Sequence, residues 1–221
     1  MISGRYLKYT WDQIDSFALC VTQAVANNGH LVFNGRLAYT GVNQINLVDY
    51  VGYSRNLTFS SPDNLSAIQL HITGTQNGAT IQETIAGPNA NTVDTTNFFD
   101  TINSITISGG NVARISVGTG DKGAFKLIGS NSNALANISI LYQIPNAQAR
   151  YHIYYTTTDI AGNGKLYNDL IALNYLKSFS GAEVDANYYT LNEPYLYLYC
   201  SINSEVTAQD PIIDLIYYEP K

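Results

Sequence analysis

Glu83, Asp94 and Asp100 are the carboxylates that could form an acid–base pair in this 221-residue chain, the arrangement with which glycosidases cleave sugar bonds. With 17 acidic residues, chance groupings are common, so only the fold can bring these three together. The three histidines, His30, His71 and His152, have no second His or Cys at metal-ligand spacing. His71 falls on the polar side of an alternating stretch and reads as a solvated strand residue. Cys20 and Cys200 have no CxxC partner and no neighbouring His, and both are expected as buried free thiols. No Gly-x-Ser-x-Gly elbow supplies a hydrolase nucleophile.

Two glycine-rich segments invite a phosphate-loop reading and fail it. Gly162-Asn163-Gly164-Lys165 runs into Leu166 where Ser or Thr is needed, and Asp159 stands where the first Walker glycine belongs. The same segment imitates a calcium loop, but Ala161 cannot ligate and Leu170 replaces the bidentate Glu. Gly118 to Gly123 lacks a Gly-Lys-Ser/Thr ending. Both read as turns or linkers. The expectation is a chain with no catalytic, metal or cofactor site. Asn56, Asn64 and Asn137 begin glycosylation-type tripeptides, which in an Asn-rich chain without a secretion signal read as coincidence.

Bulk composition agrees with a non-catalytic role. A net charge of -6 and a pI near 4.8 argue against sequence-independent nucleic-acid binding, which needs a basic footprint. No apolar stretch approaches the ~18 residues of a membrane-spanning helix, and no hydrophobic leader follows Met1 to Lys8, so the mature chain is expected to begin there. Charged residues make up only 13%, about half the usual ~25%, whereas tyrosines number 18. Lys and Glu are depleted at interface cores and Tyr is enriched, so such a surface suits packing against neighbouring subunits.

The elements that must position all these residues are strands. Ile68, Leu70 and Ile72 alternate with Gln69, His71 and Thr73, which sets apolar and polar sets on opposite faces. Asn77-Gly78 then predicts a tight hairpin turn, with Ala79 to Ile85 as the returning strand. Ile105 and Ile107, broken by Ser108 to Asn111 and followed by Ile115 and Val117, predict a second hairpin. These seven apolar residues are expected in one sandwich core. Leu31 to Phe33 and Arg36 to Thr40 flank an Asn34-Gly35 turn signal, Ile45 to Val51 and Leu57 to Phe59 read as strands, and Phe98-Phe99 as a core anchor.

Beyond Gly123, Phe125 to Ile128, Ile138 to Ile144, Tyr151 to Thr156, Tyr195 to Ile202 and Ile212 to Tyr218 read as strands, while 166 to 179 reads as a short helix or a crossing segment. Tyr195, Tyr197 and Tyr199 form a ladder that stabilises a sheet or serves as a contact or glycan-stacking surface. Trp11, Ile14, Phe17, Ala18, Val21, Ala24 and Val25 recur at helical spacing, so 11 to 26 is expected as an amphipathic helix, with an extended arm as the alternative. The fold expected is all-β: an N-terminal arm or short helix over 1–29, then two antiparallel β-sandwich-like domains in tandem over 30–120 and 123–221, divided at Gly118 to Gly123. Trp11, Phe17, Tyr195, Tyr197 and Tyr199 are the candidate interaction surface.

In Leu57 to Phe59, Ile72 to Thr75, Gly78, Gln82 to Pro88, Phe98 to Ile107 and Val117 to Gly120, the chain resembles virion proteins of tailed bacteriophages. The shared pattern is a strand ending in Thr-Gly-Thr, an Asn-Gly-type turn, a Gln-Glu-Thr strand ending in Gly, and a Ser-Ile-Thr strand leading to Val-Gly-Thr. Gln23 to Gly29 and Leu31 to Gly35 also fit how such proteins begin. The resemblance covers roughly residues 20 to 120, and 123 to 221 match only in being β-rich. It implies a structural subunit made in the bacterial cytoplasm and carried in the virion as a capsid decoration or cement protein, or as a tail or connector component. Its implied partners are the major capsid protein or tail and connector proteins and copies of itself, with no nucleic acid or membrane. A carbohydrate-binding β-sandwich using the tyrosines is the alternative from another class.

Overall fold

The computed structural model describes residues 3–10, 15–38, 43–48, 53–129, 136–143, 149–156, 175–180, 184–191, 195–202 and 212–219, with side chains over 15–38, 43–48 and 53–124. The fold is all-β, and every strand pairing described is antiparallel. One sheet runs β3 (Ile45–Asn46), β8 (Thr101–Ser108), β5 (Gln69–Gln76), β6 (Ala79–Ala86). The second runs β12 (Tyr175–Ser180), β11 (Ala149–Thr156), β14 (Tyr195–Ile202), β9 (Val112–Gly129), β4 (Ser54–Ser60), β7 (Thr92–Asp94), with β2 (Asp15–Val25) also paired to β9. The third runs β1 (Ser3–Thr10), β15 (Ile212–Glu219), β10 (Ala136–Gln143), β13 (Val184–Leu191).

The Asn-Gly hairpin forms as its residues dictate. Asn77 and Gly78 hold φ of 52° and 77°, the two positive angles of a type I′ turn, and Gln76 pairs with Ala79 across it. Leu70, Ile72, Ile105 and Ile107 face inward from β5 and β8, while Ile115 and Val117 come from β9 in the other sheet. All six belong to one buried cluster with Ile68, so the two sheets share a core. Phe98 and Phe99 are buried as anchors.

The expected second hairpin is a sheet switch instead. β8 pairs with β5 and β3, β9 pairs with β2, β4 and β14, and the chain crosses between them at Gly109 and Gly110. Asn27 Oδ1 accepts the Gly110 N–H at 3.1 Å and Asn111 Oδ1 accepts the Asn27 N–H at 2.8 Å, fastening this corner to the end of β2.

Where a helix is expected over 11 to 26, residues 15–25 are the strand β2, and 11–14 lie outside the described residues. Ala18, Leu19 and Cys20 are buried in succession, which a strand covered on both faces allows. Its backbone is also consumed by distant partners. Cys20 and Gln23 stand opposite Val117 and Ile115, while Leu19 O accepts the N–H groups of Asn34 and Gly35 at 3.1 and 2.9 Å. That docking is also why 31–38 makes no hairpin of its own: the segment lies along β2, with Leu37 N–H donating to Ala18 O at 2.7 Å. The expected Ile45 to Val51 strand is reduced to Ile45–Asn46 within the described residues.

Gly118 to Gly123, expected as a linker, is the middle of β9, an unbroken 18-residue strand. The proposed division between 30–120 and 123–221 therefore falls inside one strand. These glycines answer close approach: a Cβ on Gly118 would lie 1.8 Å from Asp15 O, and one on Gly120 would lie 2.5 Å from the Asn56 amide. The 166–174 part of the proposed helix or crossing segment, and Asp159 to Leu166, lie outside the described residues; 175–180 is strand β12. No described helix is long and apolar enough to cross a membrane.

Candidate functional site

The alternation that buries Leu70, Ile72, Ile105 and Ile107 turns the other half of each strand outward. On β5 these are Gln69, His71, Thr73 and Thr75, with Thr80, Gln82 and Thr84 beside them on β6 and Ser104, Thr106 and Ser108 on β8. None of these ten residues is Asp, Glu, Lys or Arg. The His71 ring lies across the middle, Nδ1 3.0 Å from Thr84 Oγ1 and Nε2 2.8 Å from Ser108 Oγ, so it bridges all three strands. Thr75 and Thr101 hydroxyls meet at 2.6 Å. The reading of His71 as an outward strand residue holds, but its ring is hydrogen-bonded in place. Cross-strand hydroxyl pairs of this kind fix side-chain positions on a sheet surface. Ser108 and His71 have the contact of a nucleophile and a base, but the other ring nitrogen meets the Thr84 hydroxyl and not a carboxylate.

The three candidate carboxylates are each committed to structure. Glu83 accepts the N–H groups of Thr96 and Asn97 at 2.7 and 2.9 Å, pinning the loop that follows β7. Asp100 accepts the Asn77 N–H at 2.6 Å and the Ser54 hydroxyl, and burial holds its carboxyl above the usual range against those two bonds. Asp94 is also raised, first by lost hydration, with a Thr58 hydrogen bond opposing and the Asp121 charge adding. Loop amides occupy the carboxylate oxygens of Glu83, and those of Asp100 are taken by a loop amide and a hydroxyl. Among the described residues no group of three or more His, Cys, Asp or Glu is placed to hold a metal ion.

Of the expected interaction residues, Phe17 is half exposed on β2, with Val21 on the same strand and Val32 on the segment docked beside it also exposed. Trp11 lies outside the described residues. Tyr195, Tyr197 and Tyr199 lie in β14, where Tyr197 stands opposite Tyr154 of β11 and Lys126 of β9, and Tyr199 opposite His152 and Ala124. Cys20 is a free thiol, fully buried, and burial pushes it up to about 12.

Sequence reasoning missed a polar seam between β4 and β9. Arg55 is fully buried, donates to Gly120 O, and stands 5.9 Å from the Tyr53 ring centre. Asn56, also fully buried, donates to Asp121 Oδ1 at 3.3 Å and accepts the Lys122 N–H at 2.8 Å. No spacing in the sequence marks this pair, because Gly120, the glycine that makes room for Asn56, lies 64 positions away.

No family model matches the chain, and no curated protein matches it. Among solved structures it is similar to T=1 particles derived from infectious bursal virus, at 11% identity over 99% of this chain and 69% of the other, with a TM-score of 0.22. The infectious bursal disease virus VP2 subviral particle gives 11% identity over 99% and 72%, with a TM-score of 0.22. A peptide-N(4)-(N-acetyl-β-D-glucosaminyl) asparagine amidase gives 9% over 97% and 96%, with a TM-score of 0.19. Likenesses this low carry no argument about fold or function.

Proposed function

We propose that this protein is a non-enzymatic structural subunit of a virus particle, of the tailed-bacteriophage kind that residues 20 to 120 resemble. It works as a capsid decoration or cement protein, held by protein–protein contacts to the major capsid protein and to its own copies. The observation that carries this reading is the outer face of β8, β5 and β6, which bears no charged side chain and is hydrogen-bonded across its strands. Covering such a face strips water from no ion and freezes few long side chains, two of the main costs of making an interface. A tail or connector position would use the same face.

Mass spectrometry of purified particles tests the proposal: the protein is expected at a symmetric, high copy number, and its absence from particles overturns it. Thr73→Glu places a charge in the middle of the face and is expected to abolish incorporation while the thermal melt is kept. Normal incorporation of that variant would remove the face from the contact. The second reading, a glycan-binding module, draws on the opposed Tyr197 and Tyr154 of β14 and β11, and a glycan array with no bound ligand dismisses it.

A further inference from the structure

We infer that β6 is a pairing edge at which a second copy of this chain adds its own β6, antiparallel, across a two-fold axis. Proteins blunt exposed strand edges with short strands, charges, bulges, proline or a covering segment, and the other edges among the described strands follow that rule. β3 has two residues and β7 three. The outer edge of β2 is covered by 31–37, with Gln23 exchanging two hydrogen bonds with the Val32 backbone. β1 carries Arg5 and Lys8, β12 carries Lys177 and β13 carries Asp185.

β6 has none of these devices. Its eight residues, Ala-Thr-Ile-Gln-Glu-Thr-Ile-Ala, pair with β5 without a register shift and contain no proline or basic residue. The one charge, Glu83, is taken up by the Thr96 and Asn97 amides. The two-residue turn at Asn77-Gly78 makes Gln76 and Ala79 a hydrogen-bonded pair, so the ladder with β5 uses alternate residues from Ala79. The backbone N–H and C=O of Thr80, Gln82, Thr84 and Ala86 therefore point away from the sheet, and all four residues are exposed.

A second copy is the occupant for two reasons. With Gln82 on the two-fold axis, Thr80 meets Thr84 of the second copy on both sides, giving roughly six inter-chain N–H···O bonds and two Thr–Thr pairs. Glu83 then stands opposite Ile81 of the second copy and not opposite its own copy, so like charges do not face each other. The chain also carries a net charge of -6 and repels itself in general, but the outer face beside β6 carries no carboxylate. Such a pair closes on itself, because each copy's free edge is consumed by the other. Seven paired residues, Ala79 to Ile85, make a contact well under the ~800 Å² per partner of a stable complex, so the dimer is weak in dilute solution and gains strength from the local concentration in a particle. This deepens the assembly reading above, on which it rests for its purpose.

Sedimentation equilibrium of the full chain up to roughly 500 μM, in the range where weak contacts associate, together with amide hydrogen exchange, tests the inference. A reversible monomer–dimer equilibrium is expected, with the Thr80, Gln82 and Thr84 amides protected more strongly as concentration rises. Gln82→Pro removes an outward N–H at an edge position that tolerates proline, and Thr84→Lys adds an edge charge; each is expected to weaken the dimer ~tenfold or more while the chain stays folded by circular dichroism. Should Gln82→Pro fail to fold, Thr84→Lys decides. A wild-type chain that stays monomeric, a dimer unaffected by Thr84→Lys, or β6 amides indifferent to concentration overturns the inference. A monomer that still enters particles defeats the strand pairing alone, while a dimer absent from particles defeats the assembly reading alone.

Discussion

The Asp100 carboxylate accepts the backbone N–H of Asn77 at 2.6 Å while its other oxygen takes the Ser54 hydroxyl, so one side chain ties the tip of the β5–β6 hairpin to the start of β4. Burial raises this carboxyl above its ordinary value of 3.8. The folded protein therefore holds the proton where the unfolded chain has released it, and the stability from this group, fully present below about pH 4, is lost as pH rises through the folded value. Asp94 is raised in the same direction. Asp100→Asn keeps the shape without the titration. The melting temperature of the wild-type protein relative to this variant is expected to fall as pH goes from about 4 upward, and a flat difference would mean that Asp100 does not titrate in this way.

The two glycines that the chain uses for opposite reasons should respond differently to alanine. Gly78 has open space where a Cβ would go but a φ of 77°, so Gly78→Ala is expected to cost about 1–2 kcal/mol from backbone strain. On Gly118 the Cβ would lie 1.8 Å from Asp15 O, and relief requires β2 to move away from β9. Gly118→Ala is expected to cost at least about 3 kcal/mol in urea denaturation, the upper part of the overpacking range. Equal losses would contradict this distinction.

That pair also explains which parts of the fold could be read in the sequence. Asn77-Gly78 was legible because the turn chemistry is local: two positive φ angles demand those residue types. The alternation in β5 was legible because one face of the strand is buried and the other open. Gly118 to Gly123 misled, since a glycine that admits a distant carbonyl has the same spelling as one that loosens a linker. β2 misled because burial on both faces erases alternation, leaving Phe17, Val21 and Val25 at a spacing that a helix would share. The break at Ser108 to Asn111 was legible as a break, but its destination was set by Asn27, more than 80 positions away. Of the site, His71 was placed on the correct face, while its fastening by Thr84 and Ser108 depended on register between three strands.

The shared core makes a direct claim on Ile107. It is 1% exposed and sits opposite Leu70 on β5. Ile107→Asp is expected to unfold the chain, because an unpaired buried charge costs several kcal/mol against a total of about 5–15. A wild-type melting curve for this variant would place the residue at a surface.

Cys20 should be chemically silent. With its thiol pushed up to about 12 by burial, almost no thiolate exists at pH 8. In a Cys200→Ser background, a thiol-specific disulfide reagent at that pH is expected to leave the native protein unlabelled and to react fully once it is denatured. Fast labelling of the native state would show that the β2–β9 layer opens readily.

The continuity of β9 has a mechanical side. At about 3.3 Å per residue its 18 residues span roughly 60 Å. β4 is bonded along one flank of its middle, from Ser116 to Ala124, and β2 and then β14 along the other flank from Val112 to Gly129. A pull applied along the strand loads those hydrogen bonds in shear, many at once, whereas a pull across a hairpin tip opens them one after another like a zip. Tension entering near Val112 and leaving near Gly129 is thus carried by a single spar, with no loop between the two ends to stretch first.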